Sequence, residues 1–207
     1  MIERKFSPEA VIIANGDYPK TDELVRILNT HPYVVCCDGA ADQYLLQMGK
    51  PNVIIGDGDS LSEVNKLKYA DILHIVADQE TNDLTKAIYH LINRGVKSVA
   101  IFGATGKRED HTMGNISLLM DYKRLGLDVR CITDYGVFIP VCGPEVFESK
   151  IGQQVSIFNF GAKFYNNEGL VYNLYDFKSL WQGTLNEATS PQFKISADGE
   201  YLVFLES

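Results

Sequence analysis

Positive charge is scarce in this 207-residue chain: 19 Lys and Arg stand against 27 Asp and Glu, for a net charge of −8. No Lys/Arg cluster exceeds three residues. That argues against a nucleic-acid partner, because phosphate-backbone binding needs a basic footprint. Long apolar runs are missing too. None approaches the ~20 residues that span a bilayer, and residues 1–6 carry charges with no apolar core of signal-peptide length behind them. A cytoplasmic location and no membrane partner are the expectation. Cysteine is sparse and unpatterned. Cys36, Cys37, Cys131 and Cys142 show no CxxC or other metal-ligand spacing, most lie in apolar runs, and they read as reduced core thiols. The chain has no GxGxxG fingerprint, no Walker A motif, no internal repeat and no low-complexity linker.

What is present is the balance of an ordinary folded protein, 45% apolar and 22% charged, in a length that makes one large domain or two small ones. Residues 9–133 alternate short apolar runs with amphipathic stretches. Ala10-Val11-Ile12-Ile13-Ala14 ends at the turn signal Asn15-Gly16. Residues 21–29 fit a helix with Leu24, Ile27 and Leu28 on one face. Leu84, Ala87, Ile88, Leu91 and Ile92 fall at the spacing of a one-sided helix over residues 81–93, stopped by Gly95. Residues 112–125 repeat the pattern with Met113, Ile116 and Met120 inward, and residues 127–132 form a last strand. Strands alternating with helices predict an α/β domain with a mainly parallel, doubly wound sheet over residues 1–133. After Thr133 strand formers dominate and turn signals recur, among them Gly143-Pro144, Ile151-Gly152 and Asp198-Gly199. Residues 134–207 therefore read as an all-β sandwich domain, with Trp181, Tyr165, Tyr175 and Phe177 as packing aromatics.

Four acidic patches each follow an apolar run. They are Asp38-Gly39 after 34–37, Asp57 and Asp59 in a GDGDS segment after 53–55, Asp78 to Asp83 after 72–76, and 103–111 with Asp110 after 99–102. In an open parallel sheet the carboxyl ends of the strands line one rim, where ligands bind. Two carboxylates about 5 Å apart repel by roughly 3 kcal/mol at an effective dielectric near 20. Their gathering makes sense around a hard cation, so magnesium is expected, and magnesium usually arrives with phosphates. Asp57 and Asp59, two apart on an extended strand end, can face one ion together, against the competing reading of a plain Gly/Asp turn. Asp78 and Glu80 precede a helix and read as metal or nucleotide ligands, with Thr81 or Asn82 as its N-cap. Gly103-Ala104-Thr105-Gly106-Lys107-Arg108 follows a strand, holds two glycines and two cations, and opens a helix whose N-terminus attracts anions. His111 and Asn115 share a helix face, and each taken alone is more often structural, His111 as a capping or core histidine.

The ordered set CDGAAD (37–42), IGDGDS (55–60), DQETNDLTKAI (78–88) and GATGKREDH (103–111), with EGLVYNL (168–174) and GTLNE (183–187) behind it, resembles the thiamin pyrophosphokinase family. The resemblance implies transfer of the pyrophosphoryl group of ATP to thiamin by a magnesium-dependent homodimer with active sites between subunits. It assigns Asp38, Asp57, Asp59, Asp78, Asp83 and Asp110 to the surroundings of magnesium and ATP, with Asp57, Asp59, Asp78 and Glu80 as the metal set. Glu80 stands where many members carry Asp, and Asn82 where Thr is usual. Gly39, Gly103, Thr105, Gly106, Lys107, Arg108 and His111 fall to nucleotide binding, Arg108 also to catalysis, and Asp59 or Asp83 to accepting the thiamin proton. Tyr172 matches a stacking aromatic for thiamin and Asn186 a contact beside it, whereas Leu185 replaces a common serine. Two other readings share the acidic rim: a pyrophosphokinase for another hydroxymethyl heterocycle such as a reduced pterin, and a nucleotide-sensing module without turnover.

Overall fold

Runs of branched apolar residues become strands covered on both faces, and the amphipathic stretches between them become the covering helices. The computed structural model describes residues 6–207. In chain order it gives β1 (Ala10–Ile13), α1 (Asp22–Thr30), β2 (Val34–Cys37), α2 (Ala40–Gln47), β3 (Val53–Gly56), α3 (Glu63–Lys68), β4 (Leu73–Ile75), α4 (Asp83–Asn93), β5 (Ser98–Phe102), α5 (Glu109–Arg124) and β6 (Asp128–Thr133). Every residue of β1, β2 and β3 is buried, as parallel strands between two helix layers require. Alternate residues serve opposite faces. Ala10 and Ile12 pack with Leu84, Ile88, Leu91 and Leu119 of α4 and α5, and Val11 and Ile13 pack with Leu24, Leu28 and Tyr44 of α1 and α2. Each such Leu or Ile contributes about 1.5–3 kcal/mol by leaving water.

The second part follows as β7 (Gly136–Cys142), β8 (Glu145–Glu148), β9 (Gln154–Asn159), β10 (Lys163–Glu168), a 3-10 turn at Leu180–Gly183, β11 (Asn186–Glu187), β12 (Gln192–Asp198) and β13 (Glu200–Glu206). One sheet of ten strands runs β11-β9-β13-β7-β6-β5-β1-β2-β3-β4, and three further strands form β10-β12-β8. From β4 to β6 the pairing is parallel. From β7 to β11 it is antiparallel. The three-stranded sheet closes a sandwich over the antiparallel part through Phe147, Phe164, Phe193, Ile195, Ile157, Tyr201 and Val203. The expected fold class, a parallel α/β part followed by a β-sandwich, is what the chain adopts.

Several local expectations need correction. The fifth helix begins at Glu109, three residues before the expected 112, and its first buried residue is Leu119. Its early turns run beyond the sheet, so Met113 is 71% exposed instead of inward. Trp181 is 73% exposed, and Tyr165 and Tyr175 are exposed as well, whereas Phe177 is core. Tyr165 is on β10, whereas Tyr175 and Trp181 fall in the irregular segment and the 3-10 turn that follow it, and none of the three is turned into the sandwich core. Cys36, Cys37 and Cys131 are buried, but Cys142 is exposed.

Candidate functional site at the carboxyl rim of the parallel strands

The sheet order reverses at β1, which has β2 on one side and β5 on the other, and such a switch opens a crevice at the carboxyl ends of the strands. The loops after β1 and β5 meet there. Gly16 N–H donates to Gly103 O at 2.6 Å and Asp17 N–H to Thr105 O at 2.8 Å. A Cβ on Gly16 would lie 2.2 Å from Thr105 O and 2.3 Å from Gly103 O, so only glycine permits this contact. Lys107 has φ of 54° and its Nζ donates to Asn15 Oδ1 at 2.9 Å. Asn115 Nδ2 donates to Ala104 O at 2.9 Å and its Oδ1 accepts from Asn82 Nδ2 at 3.1 Å, tying α5 to both neighbouring loops. Asn82 itself caps α4, its side chain accepting from Thr85 N–H.

Beside this crevice the structure gathers Asp38, Asp57 and Asp83, each offering a carboxylate oxygen within 4.8 Å of the other two. Asp38 follows β2 with φ of 39° and is 3% exposed. Its Oδ2 accepts from Ser60 N–H at 2.7 Å, while Oδ1 is buried with no hydrogen-bond partner. Burial pushes the Asp38 carboxyl above the usual carboxylate range, the Ser60 N–H opposes this, and repulsion from Asp83 and Asp57 adds to it. Asp57 follows β3 and is held below that range, first by the Asp59 N–H and also by the Lys86 ammonium. Asp83 opens α4 and pairs with Lys86 Nζ at 3.0 Å. Gly56 lies between the acids: a Cβ there would sit 2.7 Å from Asp38 Cβ and 3.1 Å from Asp83 Cγ. An all-oxygen donor set containing a buried, unpartnered carboxylate oxygen fits a hard divalent cation such as magnesium.

The remaining sequence candidates are placed differently. Asp59, Asp78 and Glu80 are exposed and stand outside that three-carboxylate group. Asp78 accepts from Thr81 Oγ1 and from Glu80 N–H, which pull its carboxyl below the usual range. Arg108 and Asp110 pair with each other in solvent at 2.5 Å, and His111 is exposed on the same turn. Gly39 begins α2 against Asn15 and Ser60. Tyr172 is 64% exposed and borders a groove of about 330 Å³ built wholly from residues 172–186. Asn186 is buried, its Oδ1 accepting from Tyr172 N–H at 3.0 Å and its Nδ2 donating to Tyr172 O at 2.9 Å. A larger cleft of about 1310 Å³ between α1, the β6–β7 turn and the three-stranded sheet contains none of the rim acids. Lys86 escaped the sequence reading, because a lysine three residues after an aspartate looks like a surface helix pair. Only the apolar neighbours Leu84, Ala87 and Ile88 hint at its burial.

A parallel sheet with charged loops at its carboxyl rim, continuing into an antiparallel sandwich, belongs to the α/β proteins that bind ligands at such a rim. The family description "Thiamin pyrophosphokinase, catalytic domain" matches residues 24–131, and "Thiamin pyrophosphokinase, substrate-binding domain" matches residues 136–204. The chain belongs to the thiamin pyrophosphokinase family. It is 34% identical to the thiamine pyrophosphokinase of Bacillus subtilis over 125 residues, 58% of each chain. With thiamin pyrophosphokinase 1 of Caenorhabditis elegans it shares 23% over 171 residues, 67% of this chain and 70% of the relative. The crystal structure of the Bacillus subtilis enzyme superposes with a TM-score of 0.78 at 22% identity, covering 96% of this chain and 98% of that one. The yeast thiamin pyrophosphokinase structure gives 0.78 at 18% identity, covering 99% and 88%.

Proposed function

We propose that the protein moves the pyrophosphoryl group of ATP onto thiamin, giving thiamin diphosphate and AMP. The observation that carries this reading is the convergence of Asp38, Asp57 and Asp83 from β2, β3 and α4, in a chain that matches both domains of the family. These three carboxylates would hold magnesium, which when bound there neutralises charge along the nucleotide's phosphates. Asp59, Asp78 and Glu80, at the mouth of the rim, would complete the surroundings of the bound nucleotide. The 103–106 backbone, Lys107 and Arg108 would cradle the phosphate chain, with Asp110 and His111 at the helix start. The thiamin hydroxyl oxygen attacks the β-phosphorus in line, the bond from that phosphorus to the oxygen shared with the α-phosphate breaks, and AMP departs with the electron pair. Such transfers rest on positioning and charge neutralisation more than on covalent help. Asp59 is the better proton acceptor, because Asp83 is engaged by Lys86.

Tyr172 would stack on the thiamin ring, held there by Asn186 through its backbone. Val171, Tyr172, Tyr175, Leu180, Trp181 and Leu185, all within residues 171–185, are large apolar side chains left exposed, which supports a homodimer that pairs one chain's residues 134–207 with the other's 1–133. The buried thiols Cys36, Cys37 and Cys131 support a reducing, cytoplasmic setting. No helix among the described residues is long and apolar enough to cross a membrane. The test is AMP release from ATP with magnesium on adding thiamin, compared with a pterin alcohol. Thiamin-dependent AMP that disappears in Asp57→Asn and Asp59→Asn is the expected result. AMP release with the pterin alcohol alone, or full activity in both variants, would overturn the reading.

A further inference from the structure

The catalytic reading gives Lys86 no role beyond its pairing with Asp83. Its side chain is 3% exposed on the buried face of α4, between Thr85 and Ala87, and its Nζ meets Asp83 Oδ1 at 3.0 Å. Burying an ammonium is expensive unless it is paired, and a lysine that only decorated a helix start would lie in water. Asp83 is also one of the three carboxylates whose oxygens lie within 4.8 Å of one another. Three carboxylates and this single buried ammonium carry a net charge of −2 among them, which matches one divalent cation. A second independent mark of the same design is Asp38 Oδ1, buried and without a hydrogen-bond partner beside the pair.

We infer that Lys86 is a positioning residue, a resident counter-ion that keeps the Asp38–Asp57–Asp83 group assembled when no metal is bound and restrains the grip of the metal that enters. This rests on reading the three carboxylates as the metal site. Lys86 shares its charge between two states: it steadies the acids in the metal-free protein, and it repels the cation in the loaded one. The first effect prevents the acids from springing apart between turnovers. The second keeps the bound cation exchangeable, so that it can leave with product. The lysine acts through Asp83 and the local field, with no contact to the reacting atoms required.

The experiment compares wild type, Lys86→Met and Lys86→Arg after chelation, with Mn2+ alone as the probe, by titration of its free-ion paramagnetic resonance signal and by thermal melting. Wild type and Lys86→Arg should bind Mn2+ with similar affinity. Lys86→Met should bind it about tenfold tighter or more, because one repelling charge is gone at short range. It should also melt lower than wild type when metal-free and recover most of that loss when Mn2+ is added. A packing role alone would lower both melting temperatures equally and leave the affinity unchanged, and that result overturns the inference. If Lys86→Met does not fold without metal, the double variant Asp57→Asn/Lys86→Met decides. Removing one carboxylate should restore metal-free folding if charge is the issue, and failure to do so counts against the inference. Wild type that takes up no Mn2+ at millimolar concentration would overturn the metal-site reading itself, and this inference with it.

Discussion

Asp38 bears the electrostatic strain of the rim more than any other residue. It combines a left-handed backbone at φ 39°, near-complete burial and an unpartnered oxygen, and such strain collects where function over-determines a residue. Its folded pKa is raised by burial. The stability it contributes is therefore complete below the ordinary carboxylate range near 4 and declines as pH climbs through the raised value. Asp38→Asn should raise the melting temperature of the metal-free protein by a few degrees at about pH 8, give no gain at about pH 4, and abolish turnover. An unchanged melting curve at both pH values would refute the assignment of strain to this carboxyl. Gly56→Ala attacks the same place sterically, since its Cβ would arrive 2.7 Å from Asp38 Cβ. A cost of about 1–3 kcal/mol in urea unfolding is expected, together with weakened Mn2+ uptake. The acids were legible in the sequence because each follows an apolar run. Which three would meet was not, since Asp83 reads as a helix-start residue and Asp59 as Asp57's partner until the register of β2 and β3 is known.

At the scale of elements, the rim depends on how its loops are tied down. Asp42 of α2 accepts from Ser62 N–H at 3.0 Å, Ser62 Oγ at 2.7 Å and Asn65 Nδ2 at 2.6 Å, clamping the loop that carries Asp57 and Asp59. Burial pushes the Asp42 carboxyl up, but these hydrogen bonds outweigh it and leave the pKa below the usual value. Its contribution is thus present above the ordinary carboxylate pKa and is lost as pH falls through the depressed one. Asp42→Ala should cost about 1–3 kcal/mol near neutral pH and speed amide hydrogen exchange across residues 57–62. Unaltered exchange there would show that the clamp does not hold the loop. Gly114, inside α5, has open space where a Cβ would go and no left-handed φ. Gly114→Ala should therefore stabilise by about 0.5–1 kcal/mol. The helices α1 and α4 were readable because an apolar face recurs at the helical period. Neither α2 nor α3 carries that signal: α2 has eight residues, and α3 has six with none buried. The inward placement of Met113 failed for a related reason, because periodicity records a face without recording where the sheet beneath it ends.

On the scale of the molecule, the change of character near Thr133 was legible from composition, but the continuity of the sheet across it was not. Thr133 pairs with Gly136 in a tight antiparallel turn, so the parallel and antiparallel parts belong to one continuous sheet. Local sequence carries no record of which distant strands pair, and here β13, the last strand, wedges between β7 and β9. That continuity bears on how a site could be completed. The acidic rim is built from the ends of β2, β3 and α4, whereas the groove beside Tyr172 is lined only by residues 172–186. If the rim of one chain works with the groove of another, two defective variants should rescue each other. Asp57→Asn disables a rim and Tyr172→Ala disables a groove, so each homodimer is inactive. In a two-fold dimer reshuffled at random, half of the dimers are mixed, and each mixed dimer keeps one site with both parts intact. The mixture should then regain about a quarter of wild-type activity, and its mass in solution should be near twice 23.1 kDa. A mixture that stays as inactive as its components, under conditions where mass spectrometry confirms subunit exchange, would mean that each chain completes its own site.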